Sequence, residues 1–220
     1  MSNLCGERRA RLAKAHLYLC TPDRPDLAEF ISSVCTAGVD IVQLRDKLLD
    51  ARRLLSRATV ARDATHAHGG LFIMNDRPDL ALECGADGVH VGQDDVPPTV
   101  CRRILGEDAI VGLSTHTIGE LDAAMNEPVD YLGVGPVEPT PTKPGRAGTG
   151  VQHIRAAAEQ LGARTPFFVT GGVNASTLPG IAASGATRYV VVRAITEAED
   201  PVGATKELRS LMSERTQPII

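Results

Sequence analysis

Two short runs carry more chemistry than packing needs. The first is Gln43-Leu44-Arg45-Asp46-Lys47. Read as the end of a strand, its alternation puts Gln43, Arg45 and Lys47 on one side and Leu44 on the other. An amide and two cations facing together suit an anionic ligand with a polar ring attached. The second run is Tyr131 to Gly145, Y-L-G-V-G-P-V-E-P-T-P-T-K-P-G. Its first half has the apolar residues of a strand packed on both faces, and Gly133 and Gly135 leave room for close approach. Then Pro136, Pro139, Pro141 and Pro144 fix φ and remove amide donors, which excludes ladder and helix and stiffens a loop. Thr140, Thr142 and Lys143 ride on that loop. Two hydroxyls and an ammonium held there lose little chain entropy on gripping phosphate oxygens. A proline-rich surface turn is the competing reading, and the remaining strand ends decide between them.

Those ends are polar too. Asn75-Asp76 closes one strand and another runs into Gln93-Asp94-Asp95. A single aspartate is commonly a turn or N-cap residue. Several at neighbouring strand ends, beside cations, suit Mg²⁺, which takes one or two protein carboxylates and completes its shell with substrate and water oxygens. Ser114, in Gly112-Leu113-Ser114-Thr115-His116-Thr117, can donate to a leaving oxygen. His116 either shuttles a proton or caps the following helix. His90 either lines a pocket or satisfies a core hydrogen bond. Thr170-Gly171-Gly172 and Val192-Arg193 end the last two strands, where barrels commonly seat a phosphate on glycine amides and a short helix. Two anion sites in one mouth imply two phosphorylated small molecules, one of them carrying a diphosphate leaving group, and hence a transferase.

The elements that position these residues follow a repeat. In T-A-G-V-D-I-V at Gly38, E-C-G-A-D-G-V at Gly85 and A-S-G-A-T-R-Y at Gly185, a helix ends in glycine and a strand follows. The glycines lie 47 and 100 residues apart, two and four units of about 25, the length of one βα repeat. Apolar strands are expected at 16–21, 41–45, 71–76, 88–92, 109–115, 131–137, 166–172 and 188–194. Between them lie amphipathic segments such as Leu27, Phe30, Ile31 and Val34, or Val151, Ile154 and Leu161. Asp26, Asp50 and Asn174 mark helix starts. Strands without clear period-two polarity, alternating with helices, predict an α/β fold, a single (β/α)₈ TIM barrel over 1–220, with a doubly wound open sheet as the alternative. Residues 1–12 and 215–220 read as loose tails.

Composition narrows the partners. The 220 residues hold 23 basic and 27 acidic side chains, and no basic run follows a helix or aromatic stripe, which sets nucleic acid aside. No apolar run suits a membrane span or signal peptide. Cys5, Cys20, Cys35, Cys84 and Cys101 are scattered without a C-x-x-C, which suits idle thiols in a reducing cytoplasm. A barrel of this size suits either a monomer or a symmetric homodimer.

Taken together, Q-L-R-D-K at 43–47, N-D at 75–76, G-V-H-V-G-Q-D-D at 88–95, G-L-S-T-H-T at 112–117, G-V-G-P-V-E-P-T-P-T-K at 133–143 and the late G-G-V and V-V-R-A-I resemble thiamine-phosphate synthase across nearly the whole chain. The resemblance implies that 4-amino-2-methyl-5-pyrimidinylmethyl diphosphate is joined to 4-methyl-5-(2-phosphoethyl)thiazole, releasing pyrophosphate. It implies that Gln43, Leu44, Arg45, Asp46, Lys47, Asn75, Ser114 and Lys143 hold the pyrimidine diphosphate, with Arg45, Lys47, Ser114 and Lys143 catalytic. Asp76 and Asp95 would bind one Mg²⁺ per subunit. Thr140, Pro141, Thr142, Gly172, Val192 and Arg193 would hold the thiazole phosphate. Many members have serine where Arg193 stands, which throws that contact onto backbone amides. A thiazole tautomerase is one rival, but it would not need the paired aspartates and the Q-L-R-D-K cluster together; a non-catalytic barrel is the other, and it would release no pyrophosphate.

Overall fold

Glycine ends the helices where the sequence puts it. Gly38, Gly85 and Gly185 have φ of 124°, 67° and 96°, and the Gly38 amide turns back to the carbonyls of Val34 and Cys35. That conformation is cheap only without a Cβ, and it delivers the chain straight into the next strand. The computed structural model describes residues 4–139, 148–161 and 164–213, with backbone alone at Leu4 and Cys5. The strands are β1 (Leu17–Thr21), β2 (Ile41–Leu44), β3 (Leu71–Asn75), β4 (Gly88–Val91), β5 (Ile110–Thr115), β6 (Tyr131–Val134), β7 (Phe167–Val169) and β8 (Tyr189–Val191). Each pairs in parallel with the next and β8 pairs with β1, closing a (β/α)₈ barrel. All eight expected strands form. Most are trimmed at the C-terminal end, where the chain bends away to build the mouth.

Helices α1 (Leu4–Lys14), α2 (Leu27–Ala37), α3 (Ala51–Ala67), α4 (Pro78–Cys84), α5 (Pro98–Leu105), α6 (Ile118–Ala124), α7 (Gly150–Leu161), α8 (Leu178–Ala182), α9 (Arg193–Thr196) and α10 (Pro201–Ser213) complete the described elements. Strand alternation sorts the core into two layers. Leu19, Val42, Leu44, Phe72 and Val111 face outward and meet Phe30, Ile31 and Val34 of α2 and their counterparts. Tyr18, Ile41, Leu71, Ile73, Ile110, Tyr131 and Phe168 face inward. Each fully buried aliphatic side chain contributes about 1.5–3 kcal/mol, so this double layer carries most of the stability. Two residues further along the same inward rows stand Gln43, Asn75 and, on neighbouring strands, His90 and Ser114. The outward rows are almost entirely apolar and the inward rows are apolar at their base, which is why the strands lack a simple polar alternation.

Three expectations need correction. Residues 4–12, expected to be a loose tail, belong to α1, which plugs the bottom of the barrel: Leu12 and Ala15 join the inward cluster. Arg8 and Arg9 pair there with Asp87 and Asp130 at 3.0 and 2.7 Å. Asp26 precedes α2 without capping it, because Arg24, stacked 3.8 Å over the Phe30 ring, takes its carboxylate at 2.6 and 3.0 Å. Val151 stays partly exposed while Ile154 and Leu161 are buried. Asp50 does cap α3, accepting from the Arg53 amide at 2.9 Å. Asn174 accepts from Ser176 and Thr177 one turn before α8. Among the described residues, Cys20, Cys35, Cys84 and Cys101 are buried and in no disulfide, and no helix is long and apolar enough to cross a membrane.

A device not foreseen from sequence repeats around the bottom rim. The aspartates leading into β2, β4 and β6 each reach back to an amide at the start of the odd strand before. Asp40 accepts from Leu17, Asp87 from Phe72 and Asp130 from Val111, at 2.8–2.9 Å. Each also meets an arginine: Arg209, Arg8, and Arg9 with Arg102. Burial alone would raise the Asp87 carboxyl, but His66, the Phe72 amide and Arg8 outweigh it and hold it below the usual carboxylate range. Asp87→Ala should therefore destabilise the fold by about 3 kcal/mol in denaturant titrations, because it orphans a buried amide and breaks the pair. The sign with pH follows from the lowered value. The stabilisation is complete above the ordinary carboxylate pKa and is lost as pH falls below it toward the lowered native value. The variant and the parent should thus converge in stability in acid.

Candidate active site at the barrel mouth

A cavity of about 510 Å³ opens at the C-terminal strand ends. Tyr18, Tyr131 and His90 form its floor, Gln43, Arg45, Asn75 and Ser114 one wall, and Thr170, Gly171, Gly172, Val192 and Arg193 the other. A more polar cavity of about 210 Å³ shares Arg45, Asn75, His90 and Ser114 with it and adds Lys47, Asp76, Gln93, Asp94, Asp95 and His116. A third, of about 260 Å³, runs past Cys20, Pro22 and Arg193 and again meets Arg45. The strand-end residues singled out by type thus converge.

Local backbone explains how the acids arrive. Asp76 has φ of 60°, alone among described non-glycine residues in being positive. Aspartate tolerates this region, and the turn lifts the chain off β3 while the Asp76 amide donates to the His90 carbonyl at 2.9 Å. Lys47 Nζ then sits 2.9 Å from Asp76 Oδ2. Asp95 Oδ2 accepts from the Gly92 amide at 2.8 Å. A Cβ on Gly92 would stand 2.9 Å from that oxygen, so a side chain there would push the Asp95 carboxylate aside. The Asp76 carboxyl is pushed up by burial; Lys47 pulls it down, but the adjoining Asp95, within hydrogen-bonding reach, pushes it up again, and the net direction is upward. Two carboxylates forced together in a cavity could accommodate a cation.

The opposite wall is backbone. Gly171 and Gly172 have φ of 88° and 78°. A Cβ on Gly171 would stand 2.4 Å from that of Pro136, so the turn closes only without side chains. Thr177 Oγ1 and Asn174 Nδ2 hold the Gly172 carbonyl at 2.7 and 3.1 Å, and Gly171, Gly172 and Arg193 line the cavity.

Not every expected residue lies here. Thr140, Pro141, Thr142 and Lys143 lie outside the described residues. Leu44 and Asp46 belong to the right run but send their side chains elsewhere. Leu44 is buried in the outward layer, and Asp46 accepts the amides of Asp23 and Leu48. Contiguity grouped them with Arg45 and Lys47, and strand alternation separates them. His116 does not cap α6 with its ring: Thr117 Oγ1 does so, accepting from Glu120, and both His116 ring nitrogens are buried without a hydrogen-bond partner among the described residues. His90 fills both of its alternative roles, lining the cavity and bonding to Tyr131 and Ser114.

Sequence reasoning missed Tyr18 and Tyr131, which it read as packing. The signal was the glycine at 112. Gly112 pairs with Tyr131 across β5 and β6, and a Cβ there would stand 2.1 Å from the phenol ring. Gly133 likewise lies against His90, 3.2 Å from where its Cβ would be. Gly112→Ala should consequently displace Tyr131 and cost about 1–3 kcal/mol as overpacking, read as a lower melting temperature. An unchanged melting curve would show that the ring has room to move.

The comparisons agree with this geometry. The family model described as thiamine monophosphate synthase matches residues 17–195. A thiamine-phosphate synthase of Mycobacterium bovis is 47% identical over 93% of this chain and 97% of its own length. One from Saccharopolyspora erythraea is 47% identical over 92% and 95%. A solved thiamine phosphate pyrophosphorylase from Pyrococcus furiosus superposes with a TM-score of 0.85 at 30% identity, covering 94% of this chain and all of that one. A 3-hexulose-6-phosphate synthase at 23% identity, TM-score 0.68, shares the fold alone. The chain belongs to the thiamine monophosphate synthase family.

Proposed function

We propose that this mouth joins 4-amino-2-methyl-5-pyrimidinylmethyl diphosphate to 4-methyl-5-(2-phosphoethyl)thiazole, giving thiamine phosphate and pyrophosphate. The observation that carries the reading is the adjacency of a polar pocket, where Arg45, Lys47, Asp76 and Asp95 meet, and an aromatic-floored one beside it. In the reaction, the bond between the pyrimidine methylene carbon and a diphosphate oxygen breaks, its electron pair leaving with the diphosphate. The electron-rich aminopyrimidine stabilises the resulting cation, and the thiazole nitrogen captures it.

Gln43, Arg45, Lys47, Asn75 and Ser114 would hold the pyrimidine diphosphate, together with Lys143. Their cations would stabilise charge as it builds on the departing oxygens, the contribution expected to dominate catalysis. Gly172, Val192 and Arg193, with Thr140, Pro141 and Thr142, would hold the thiazole phosphate. Asp76 and Asp95 fit Mg²⁺. Among the described residues no group of three or more His, Cys, Asp or Glu gathers as a cage, and two carboxylates that leave room for substrate oxygens are the donor set this ion prefers. When bound, it would supply positive charge to the diphosphate. Buried thiols in no disulfide suit a reducing cytoplasm, and a homodimer would leave each mouth complete within one chain.

The purified chain with both substrates and Mg²⁺ should release pyrophosphate and thiamine phosphate in equal amounts, and neither when one substrate is left out. A tautomerase or a binding barrel of the same fold would take up the thiazole phosphate and release nothing. That outcome would overturn the reading.

A further inference from the structure

The hydrogen bonds under the cavity form one unbroken line. The Cys20 thiol donates to Gln43 Oε1 at 3.1 Å, and Gln43 Nε2 donates to the Tyr18 hydroxyl at 3.0 Å. The Tyr18 and Tyr131 hydroxyls lie 3.0 Å apart, Tyr131 lies 3.0 Å from His90 Nδ1, and His90 Nε2 lies 2.8 Å from Ser114 Oγ. The line thus crosses the barrel from the wall given to the pyrimidine to the pocket given to its diphosphate.

The protons along it have a preferred direction. Gln43 enters as a donor, since its oxygen takes the thiol. Tyr18 accepts from Gln43 and gives its own proton to Tyr131, which gives its proton to His90 Nδ1. His90 then carries its hydrogen on Nε2 and donates it to Ser114 Oγ. The serine's proton is thereby turned away from the histidine, toward the second pocket. In the opposite direction Tyr18 would accept from both Gln43 and Tyr131, its own proton would point at no acceptor in the line, and Ser114 would spend its hydrogen on His90. In the forward order every bond of the line runs in the same sense, and such chains strengthen when their bonds run one way. Burial raises the pKa of both tyrosines, keeping the hydroxyls protonated as donors. The His90 ring is stacked on Tyr131 at 5.4 Å and 27°, with Gly112 and Gly133 making the space.

We infer that Tyr18, Tyr131 and His90 are positioning residues that fix His90 as its Nε2–H tautomer and so hold the Ser114 hydroxyl as a hydrogen-bond donor toward the departing diphosphate. This rests on the reaction proposed above. A donor aimed in advance at an oxygen that gains charge only as its bond to carbon breaks lowers the barrier more than it tightens substrate binding. The effect therefore belongs in kcat and not in KM.

The tautomer is read by nitrogen-15 spectra of histidine-labelled enzyme without substrate, where His90 should show a protonated Nε2 and a bare Nδ1. Tyr131→Phe should lower kcat about tenfold, as expected for losing one aligned bond to a charged group, with both KM values within about twofold. Because the tyrosine acts through the serine, the same change made in Ser114→Ala should have no further effect on kcat. A protonated Nδ1 in the parent enzyme overturns the inference without any variant having to fold. So does a Tyr131→Phe enzyme with parental kcat, or one whose defect adds in full to that of Ser114→Ala. Failure of the parent to release pyrophosphate while His90 shows Nε2–H would sink the reaction itself, and with it the purpose assigned to the line.

Discussion

Asp95→Ala is expected to lower kcat by about 10²–10³-fold while leaving the barrel as stable as before or slightly more so. The Asp95 and Asp76 carboxylates lie within reach of each other in a partly buried pocket, and their mutual repulsion helps push the Asp76 carboxyl upward. Removing one relieves that repulsion and leaves Asp76 neutralised by Lys47 at 2.9 Å. A structural pair would lose stability on truncation, whereas a pair kept for a cation should lose only function. The parent's melting temperature should rise with added Mg²⁺, by ligand linkage, and the variant's should not. Asp95→Asn keeps an acceptor for the Gly92 amide and should show the same loss, separating charge from loop geometry. If Asp95→Ala turns over at the parental rate and still gains stability from Mg²⁺, the metal lies elsewhere.

Why Asp95 was legible from sequence and Tyr131 was not is a matter of distance along the chain. Polar residues at the ends of apolar strands have no packing reason to be there, so Lys47, Asp76, Asp95 and Ser114 stand out without coordinates. The repeat of glycine-closed helices fixes the order of strands, and strand order fixes which ends meet. Tyrosine in a buried strand, by contrast, looks like packing. Its hydroxyl acquires a role only when β1 meets β6 across the closed barrel, in a bond between residues 113 apart. The same holds for α1, whose arginines read as a solvated tail because their partners, Asp87 and Asp130, come 79 and 121 residues later. Local pattern predicts elements and which face a residue takes; it does not predict pairings made by closure.

Arg45→Ala should lower kcat/KM by about 10³-fold, and Arg45→Lys should recover only part of it, leaving about a tenfold deficit. Arg45 lines all three cavities at the mouth, and its amide is pinned to the Thr21 carbonyl at 2.8 Å, which fixes where the side chain starts. Most arginines of the described structure are tied to carboxylates or carbonyls: Arg8, Arg9, Arg57, Arg102 and Arg209 all form ion pairs. Arg45 forms none with a described carboxylate. Its neighbour Asp46 does not compensate it, being occupied by the amides of Asp23 and Leu48. A half-buried guanidinium with no counter-ion among the described residues is costly unless an anion arrives to meet it. A diphosphate would supply that anion, and the planar fork would bind two of its oxygens at once where an ammonium would meet only one. The loss in the lysine variant should therefore fall mainly on the diphosphate substrate, with KM for the thiazole phosphate nearly unchanged. Should both substrates suffer equally, Arg45 would be serving the shared mouth as a field and not the diphosphate as a ligand, and full activity in Arg45→Ala would remove it from the site altogether.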